Sequence, residues 1–112
     1  MSGYNNQTAA ISVSSSGDNT IVAAVADHRV VVVGYTAINA VGTAQAITWK
    51  SGASTSITGA MALPSAVGGG LVSNSGDNQT VLFATAPGQA LVLNLSAATA
   101  VGGHVSYRIV RG

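Results

Sequence analysis

The stretch IVAAVADHRVVVVGYTAI, residues 21–38, decides the fold class. It is the most apolar part of the chain, but Asp27, His28 and Arg29 interrupt it at its middle. A membrane span would need about 20 apolar residues without such an interruption. Val and Ile are abundant in the stretch, and β-branched residues favour strands. It therefore predicts two strands joined by a tight hairpin at Asp27-His28.

The rest of the chain repeats this pattern of short apolar runs. Gly, Asn, Asp or Pro interrupts the runs every eight to twelve residues, and glutamate is absent. No run has a 3.6-residue apolar period long enough for a helix, and the spacing is typical of an all-β sandwich or barrel. We expect eight or nine strands. They are residues 8–14, 20–26, 29–39, 44–51, 56–63, 71–73, 80–85, 90–95 and 104–111.

Composition limits the class of protein. A chain of 112 residues is most simply one domain. Charged residues make up 6% of it, against about 25% in a typical soluble domain. Uncharged polar residues must therefore form much of its surface, or other protein must cover that surface in the working state.

The charge pattern argues against nucleic acid as a partner. The net charge is +1, and the four cations, Arg29, Lys50, Arg108 and Arg111, lie far apart in sequence. Nucleic-acid binding demands a basic stripe instead. Cysteine is absent, which excludes disulfides, thiolate catalysis and cysteine-based zinc sites.

The N-terminal sequence MSGYNNQTAA lacks the basic region and apolar run of a signal peptide. We interpret residues 1–7 as a polar arm and residues 8–112 as a single β-sandwich domain. We expect no membrane partner, because the one long apolar stretch is interrupted by charged residues.

The sequence SGDN occurs twice, at residues 16–19 and 75–78. With Gln79 as an insertion, a shift of 60 positions lays the second half of the chain over the first. The large apolar residues then coincide: Val31, Val33 and Tyr35 fall on Leu91, Leu93 and Leu95, and Ile47 and Trp49 fall on Tyr107 and Ile109. Since side chains alternate between the faces of a strand, both halves put these residues on equivalent faces.

This repeat predicts one supersecondary unit used twice. Each copy has a turn, a strand, a hairpin at Asp27-His28 or Pro87-Gly88, a second strand, a loop and a third strand. Two such antiparallel units closing face to face form a β-sandwich of the jelly-roll type. The expected fold is therefore an all-β jelly roll with an internal pseudo-repeat of about 60 residues.

The SGDN copies each contain one carboxylate, which argues against a metal site. Calcium takes six to eight oxygen ligands, usually from several carboxylates. Asp and Asn beside Gly are also turn residues, and we interpret both copies as structural turns. The stretch Gly68-Gly69-Gly70 has neither the lysine nor the helix of a phosphate-binding loop. We interpret it as a connection between the two halves.

Candidate catalytic residues are few. No G-x-S-x-G sequence exists, and we interpret His28, in the expected hairpin tip, and His104, at an expected strand start, as solvated residues. Asp18 and Asp77 are equivalent in the repeat, so they are better explained as turn residues than as the paired carboxylates of a glycosidase. We expect no enzymatic activity, no cofactor and no metal.

The aromatic residues are expected to be core residues rather than a ligand platform. Tyr35, Trp49 and Tyr107 lie on the expected inner faces, and so does Phe83. Only Tyr4, in the arm, lies outside a strand. No aromatic cluster is left for stacking on carbohydrate.

The faces opposite the expected core are unusually apolar. The repeat places Val30 and Val32 on these faces in the first half and Val92 in the second. An isolated antiparallel sandwich should have a polar outer face, and contiguous exposed apolar residues mark interfaces. We therefore predict that these three valines form an interface. The alternative is that the N-terminal arm or the Gly-rich loop covers them.

Several phrases of the sequence resemble a known family. They are SGDNTIVAAVA, VVVVGYT, WKSG, ITGAM and GQALVLNLSAATAVGGHVSY. Together with their strand pattern they are similar to the small jelly-roll capsid decoration or cement proteins of tailed bacteriophages. The resemblance covers nearly the whole chain from Ser16 onward.

The resemblance implies a structural protein of the virion. Such a protein binds the outer capsid surface as a dimer or trimer, contacts the major capsid protein at symmetry axes, and holds neighbouring capsid subunits together against internal DNA pressure. From their positions we predict that Arg108 and Arg111 pair with acidic capsid residues. We also predict that the arm, which includes Tyr4, becomes ordered on binding.

Two other classes of function stay open. One is an ice-binding or surface-adhesive β-protein, which requires a flat array with a short regular repeat, and the 60-residue period is far too long for it. The other is a receptor-binding or fibre-tip β-sandwich module of a virion. Such a module needs a pocket for a glycan or a protein. Surface hydrophobic residues clustered at one end of the sandwich, rather than along a side, would favour it.

Overall fold

The computed structural model describes residues 6–74 and 81–112. All regular secondary structure in these residues is β, as the sequence predicts. It comprises ten strands, where eight or nine were expected. They are β1 (Gln7–Val13), β2 (Gly17–Val22), β3 (His28–Asn39), β4 (Gln45–Ser51), β5 (Thr55–Ser56), β6 (Met61–Leu63), β7 (Gly70–Asn74), β8 (Phe83–Ala84), β9 (Leu91–Leu95) and β10 (Val101–Arg111).

The strands form two antiparallel sheets. Sheet A has the order β1-β10-β3-β7, with β8 pairing β3 beyond the end of β7. Sheet B has the order β2-β9-β4-β5, with β6 also pairing β4. Consecutive long strands thus alternate between the sheets, so that β1 and β3 lie in sheet A while β2 and β4 lie in sheet B.

The core lies between the two sheets, which makes the fold a β-sandwich. Sheet B contributes Ile47 and Trp49 of β4 and the leucines of β9, and sheet A contributes Val105 and Tyr35 among others. The indole ring of Trp49 packs against Tyr35 and Phe83, with ring centroids 5.2 and 5.9 Å away. These aromatic residues are core residues, as predicted.

Strand β3 contains a β-bulge that the sequence pattern did not reveal. Ser106 of β10 pairs with Gly34 and the next residue, Tyr107, pairs with Val32, so that Val33 has no partner on β10. An extra residue in one strand changes which face the following side chains occupy. Because of the bulge, even-numbered residues before it, such as Val32, and odd-numbered residues after it, such as Tyr35, share the inner face.

The predicted facing of Val30 and Val32 is therefore wrong. Both belong to the core cluster together with Tyr35, which lies on the other side of the bulge. A strict alternation through β3 would have put Tyr35 and these two valines on opposite faces. Because the bulge accommodates the extra residue Val33, all three side chains lie on the inner face.

The two predicted hairpins are wrong as hairpins. Ala26 and Asp27 do form a turn, with Asp27 at a φ of 62°. However, this turn connects β2 of sheet B to β3 of sheet A, and Pro87-Gly88 likewise connects β8 to β9. The turns meet at one end of the sandwich, where the Gly88 amide donates to the His28 carbonyl over 2.8 Å. At both turns the chain passes from one sheet to the other, whereas the sequence predicts that the two flanking strands pair with each other in the same sheet.

The first SGDN copy is not only a turn. Gly17 has a φ of 92°, and the side-chain amide nitrogen Nδ2 of Asn19 donates to the carbonyl oxygens of Ser15 and Gly17. However, Asp18 and Asn19 already belong to β2 and pair with β9. The expected turn is therefore shifted toward Ser15. The second copy, at residues 75–78, lies outside the described residues.

The repeat relates strands that occupy central positions in opposite sheets. The shift of 60 lays β3 over β9 and β4 over β10. In sheet A the central strands are β10 and β3, and in sheet B they are β9 and β4. Each sheet therefore has one strand from each half of the chain at its centre.

Candidate interaction surfaces

Three of the predicted interface residues are buried within the chain itself. Val30 and Val32 lie in the core. Val92 does belong to the outer face of sheet B, but it is only 4% exposed. Its neighbours on the adjacent strands are Thr20 and Lys50. These valines do not form the exposed apolar surface that the sequence predicts.

Two predicted interface residues are cations on β10 with different exposure. Arg108 lies on the outer side of sheet A, opposite Val31, but it is only 8% exposed. Its Nη1 donates to Asn6 Oδ1 over 3.4 Å. Arg111 is exposed at the end of β10, opposite His28. Tyr4, the remaining candidate, lies outside the described residues.

An ion pair ties three strands together on the outer face of sheet B. Lys50 Nζ of β4 lies 3.0 and 3.1 Å from the two carboxylate oxygens of Asp18 of β2, and it also donates to the Ala53 carbonyl over 2.7 Å. Between these strands, Asn94 Nδ2 of β9 donates to Asp18 Oδ1 over 2.8 Å. The pKa of Asp18 lies below its usual range. The largest cause is the hydrogen bond from Asn94, and the next is the hydrogen bond from Lys50.

The structure does not bring the predicted catalytic candidates together. His28 lies at the start of β3, where its Nδ1 is 2.8 Å from the Ala26 carbonyl oxygen. His104 is exposed within β10, rather than at the start of a strand. Among residues 6–74 and 81–112, no group of three or more His, Asp or Glu side chains is placed to hold a metal ion. Asp77 lies outside the described residues.

Buried amide side chains organise one end of the sandwich. Asn39 donates to the carbonyls of Thr43 and Pro64 over 2.8 and 3.0 Å and accepts from the amides of Val41 and Gly42. Gln45 does the same for the loop between β9 and β10, where it donates to the carbonyl oxygen of Ala97 over 2.7 Å. These bonds fix the loops at this end, because a buried polar group is costly to leave unpaired.

A small open cleft of about 200 Å³ lies at the same end of the sandwich. The end of β1, the residue after β3 and the start of β10 line it. Its side chains are small, and they include the hydroxyls of Ser12 and Ser14 but no charged group. The cleft has room for a small side chain, and no residue that lines it has a group for acid–base chemistry.

Among the residues whose exposure the structure describes, the exposed large apolar ones are valines that the sequence analysis did not single out. Val67 and Val72 are the most exposed, at 74% and 72%. Val72 lies on the edge strand β7, opposite Thr36. Val67 lies in the loop before β7, and a methyl group added to Gly42 would lie 3.2 Å from its Cγ2. Val41, next to Gly42, is also exposed. Val41 and Val67 thus lie on neighbouring loops.

Comparison with family models, curated proteins and solved structures found no match to this chain. No helix long and apolar enough to cross a membrane occurs in the part of the chain that the structure describes. The candidate surfaces therefore have to be judged by their own residues.

Sequence reasoning missed the exposed valines for a physical reason. A single valine in a loop or in a short strand has no periodic signal, and exposure depends on which element packs over it. The signal that could have marked Val67 is its position in the Pro- and Gly-rich stretch between residues 64 and 70, where no neighbouring apolar run accompanies it.

Proposed function

We propose that the protein is a structural component of a virion that binds the outer surface of a tailed-phage capsid as a homo-oligomer. It cements neighbouring capsid subunits against internal pressure and performs no catalysis. The sequence phrases that resemble decoration proteins suggest this function. The exposed valines of the sandwich, on a chain with 6% charged residues, are the observation that carries it.

The strand order supports a jelly-roll topology for this protein. β7 and β8 follow each other along β3, and β5 and β6 follow each other along β4. If β5 and β6 are counted as one strand, and β7 and β8 as another, the sandwich has eight strands, which can be renumbered 1 to 8 in chain order. In this numbering β9 is strand 7 and β10 is strand 8, and the strand orders are 1-8-3-6 in sheet A and 2-7-4-5 in sheet B. Two interleaved Greek keys produce such an order. The 60-residue repeat, with one strand of each half at the centre of each sheet, fits the same topology.

Exposed apolar side chains suit attachment to a larger protein surface. Val67 and Val72 present most of their side chains to solvent, and such residues gain free energy when a partner covers them. The two residues alone give a weak contact. An oligomer that engages several capsid subunits at once raises the apparent affinity by about 10² to 10⁴ without any new contact.

Capsid occupancy tests the proposal. Empty expanded shells of the phage that carries the gene, prepared without decoration protein, are mixed with the purified protein and pelleted, and the bound mass per shell is measured. We expect saturable binding in a fixed ratio to the shell protein. Shells that pellet without the protein at every concentration would contradict the proposal.

Two variants identify the surface used. Val72→Asp introduces a charge on the exposed edge strand and is expected to weaken shell binding at least about tenfold, since a charge cannot be buried unpaired without a large cost. Val25→Asp is the matched control, because Val25 is also exposed but lies in the connection between β2 and β3. Equal effects of the two changes would exclude the β7 side as the binding surface.

The arm is tested separately. Deleting residues 1–5 leaves every described strand complete, and if the arm contributes to attachment, shell occupancy falls. Unchanged occupancy would remove the arm from the mechanism. Replacing Arg111 by Gln tests pairing with acidic capsid residues in the same assay, and its effect should shrink at high salt, because salt screens exposed charges.

One observation favours a fibre-tip or receptor-binding module as a second candidate. Val41 and Val67 lie on neighbouring loops beyond the strands, which is a clustering at one end of the sandwich. Binding of the purified protein to host cells, without binding to shells, would support this second candidate and exclude the first.

A further inference from the structure

Strand β1 forms an open edge of sheet A. It pairs with β10 along its whole length, from Gln7 opposite Tyr107 to Val13 opposite Val101. No backbone hydrogen bond joins it to any other described strand. One row of its amide and carbonyl groups therefore faces away from the sheet, where it can pair with another strand.

Among the edge strands of the described residues, β1 is the longest and has none of the features that oppose edge pairing. The devices that block edge pairing in natural sheets are short length, charge and bulges. β5, β6 and β8 have two or three residues, and the described part of β7 has five and begins at a glycine. β2 has a charged residue, Asp18, and a register shift between Thr20 and Val22. β1 has seven residues, QTAAISV, without charge, proline or glycine, and its register is unbroken.

The sequence of β1 is self-complementary about Ala10. An antiparallel pair centred there places Ala10 opposite Ala10, Thr8 opposite Ser12 and Ala9 opposite Ile11. Thr8, Ala10 and Ser12 belong to the exposed outer side of the strand, and Ile11 is buried toward the core. The pairing thus puts hydroxyl residues opposite hydroxyl residues on the outer face, which is a favourable cross-strand combination, and it keeps inner residues opposite inner residues.

We propose that β1 is the self-association edge of this protein and that its occupant is β1 of a second copy. In a two-fold contact each residue meets the equivalent strand of its partner. A charged edge would therefore oppose itself, and β1 has no charge. The product is a dimer in which sheet A continues through both subunits.

This inference deepens the self-association clause of the proposed function and rests on that clause alone. It does not depend on shell binding. A protein that binds shells as an oligomer joined through another surface would overturn the inference and leave the cementing function standing. A dimer that binds no shell would do the reverse.

Single cysteines test the pairing and its register together, because the chain contains none of its own. In an antiparallel pair centred on Ala10 the two Ala10 Cα atoms lie about 4.5–5.5 Å apart, within the range of about 4.4–6.8 Å that a disulfide allows. The two Ser12 Cα atoms are displaced from each other by four residues, about 13 Å along the strands. Ala10→Cys should therefore give a cross-linked dimer under mild oxidation, and Ser12→Cys, which is also exposed on the outer side of the same strand, should not.

A charge variant tests the contact in the native state. Ala10→Glu places two carboxylates opposite each other across the two-fold axis and should convert the dimer to a monomer in sedimentation at micromolar concentration. Ala10→Gln, with nearly the same size and no charge, should stay dimeric. A wild-type monomer at this concentration, or equal cross-linking of the two cysteine variants, would overturn the proposal. The cysteine pair remains decisive if the glutamate variant fails to fold.

Discussion

At the scale of single residues, Asp18 on the outer face of sheet B has a pKa that its neighbours lower. Its pKa lies below the usual range because Asn94 and then Lys50 donate hydrogen bonds to the carboxylate. A carboxyl group with a lower pKa in the folded chain than in the unfolded chain stabilises the fold at neutral pH. This contribution is lost as the pH falls from about 4 through the folded pKa.

The pKa of Asp18 is measurable by NMR titration of its carboxyl carbon. We expect Asn94→Ala and Lys50→Met each to raise this pKa toward the usual value, because Asn94 donates the hydrogen bond that lowers it most and Lys50 lowers it through both a hydrogen bond and its charge. In parallel, Asp18→Asn should lower the free energy of unfolding at pH 7, and this difference should shrink as the pH falls below about 4. An unchanged Asp18 pKa in both variants would contradict this explanation.

Two adjacent glycines of β10 are predicted to differ in their tolerance of a side chain. Gly103 has a φ of 145°, and a Cβ atom there would overlap the carbonyl oxygen of Thr36 on β3. At Gly102 the nearest atom to such a Cβ, the Ile11 carbonyl oxygen, is 3.9 Å away. Gly103→Ala should cost at least about 3 kcal/mol and Gly102→Ala less than about 1 kcal/mol.

Urea unfolding followed by circular dichroism measures this difference, and Gly102→Ala serves as the control for the loss of glycine flexibility. Similar midpoints for the two variants would mean that β3 and β10 can move apart without cost. The comparison matters because these strands form the centre of sheet A.

At the scale of elements, the bulge at Val33 sets the facing of the longest strand. Deleting Val33 removes the extra residue and leaves Val32 and Tyr35 two positions apart, so that regular alternation keeps Val30, Val32 and Tyr35 on the inner face. We therefore expect the deletion variant to keep the dispersed NMR spectrum of the folded chain, with some loss of stability because the buried Val33 side chain is removed. Val33→Ala keeps the residue count and the bulge and should cost about 2 kcal/mol. A deletion variant without a dispersed spectrum would show that β3 requires the bulge itself.

Sequence reasoning succeeded for strands that the pattern of short apolar runs between turn residues is enough to predict. Residues 29–39, 44–51 and 90–95 were predicted as strands and coincide closely with β3, β4 and β9. It failed at Val33, because nothing in the run VVVV distinguishes an extra residue from a regular one. The facing of Val30 and Val32 followed from that failure, and with it the predicted interface.

The same limit explains the other differences. A turn sequence such as Asp27-His28 specifies a change of direction but not the sheet to which the next strand is added, since long-range packing decides this. The Asp18–Lys50 pair joins residues 32 positions apart in sequence. Neither the composition nor the repeat contains information on such a contact.

At the scale of the whole molecule, the sandwich combines a closed interior with an open edge. Its core packs side chains of both sheets around Trp49. On the β1 side of sheet A, the pairing of β1 with β10 runs unbroken from Gln7 to Val13. The core and the proposed self-association edge thus lie in different parts of the structure.

Because Trp49 lies in the core, its fluorescence can be used to follow folding separately from association through β1. It is the only tryptophan of the chain, it is fully buried in sheet B, and it contacts two aromatic rings. Its fluorescence emission should therefore change sharply on unfolding and stay constant when a dimer joined through β1 dissociates on dilution. One intrinsic fluorophore then reports on the integrity of the core alone, so light scattering and emission recorded on the same sample read assembly and folding as independent signals.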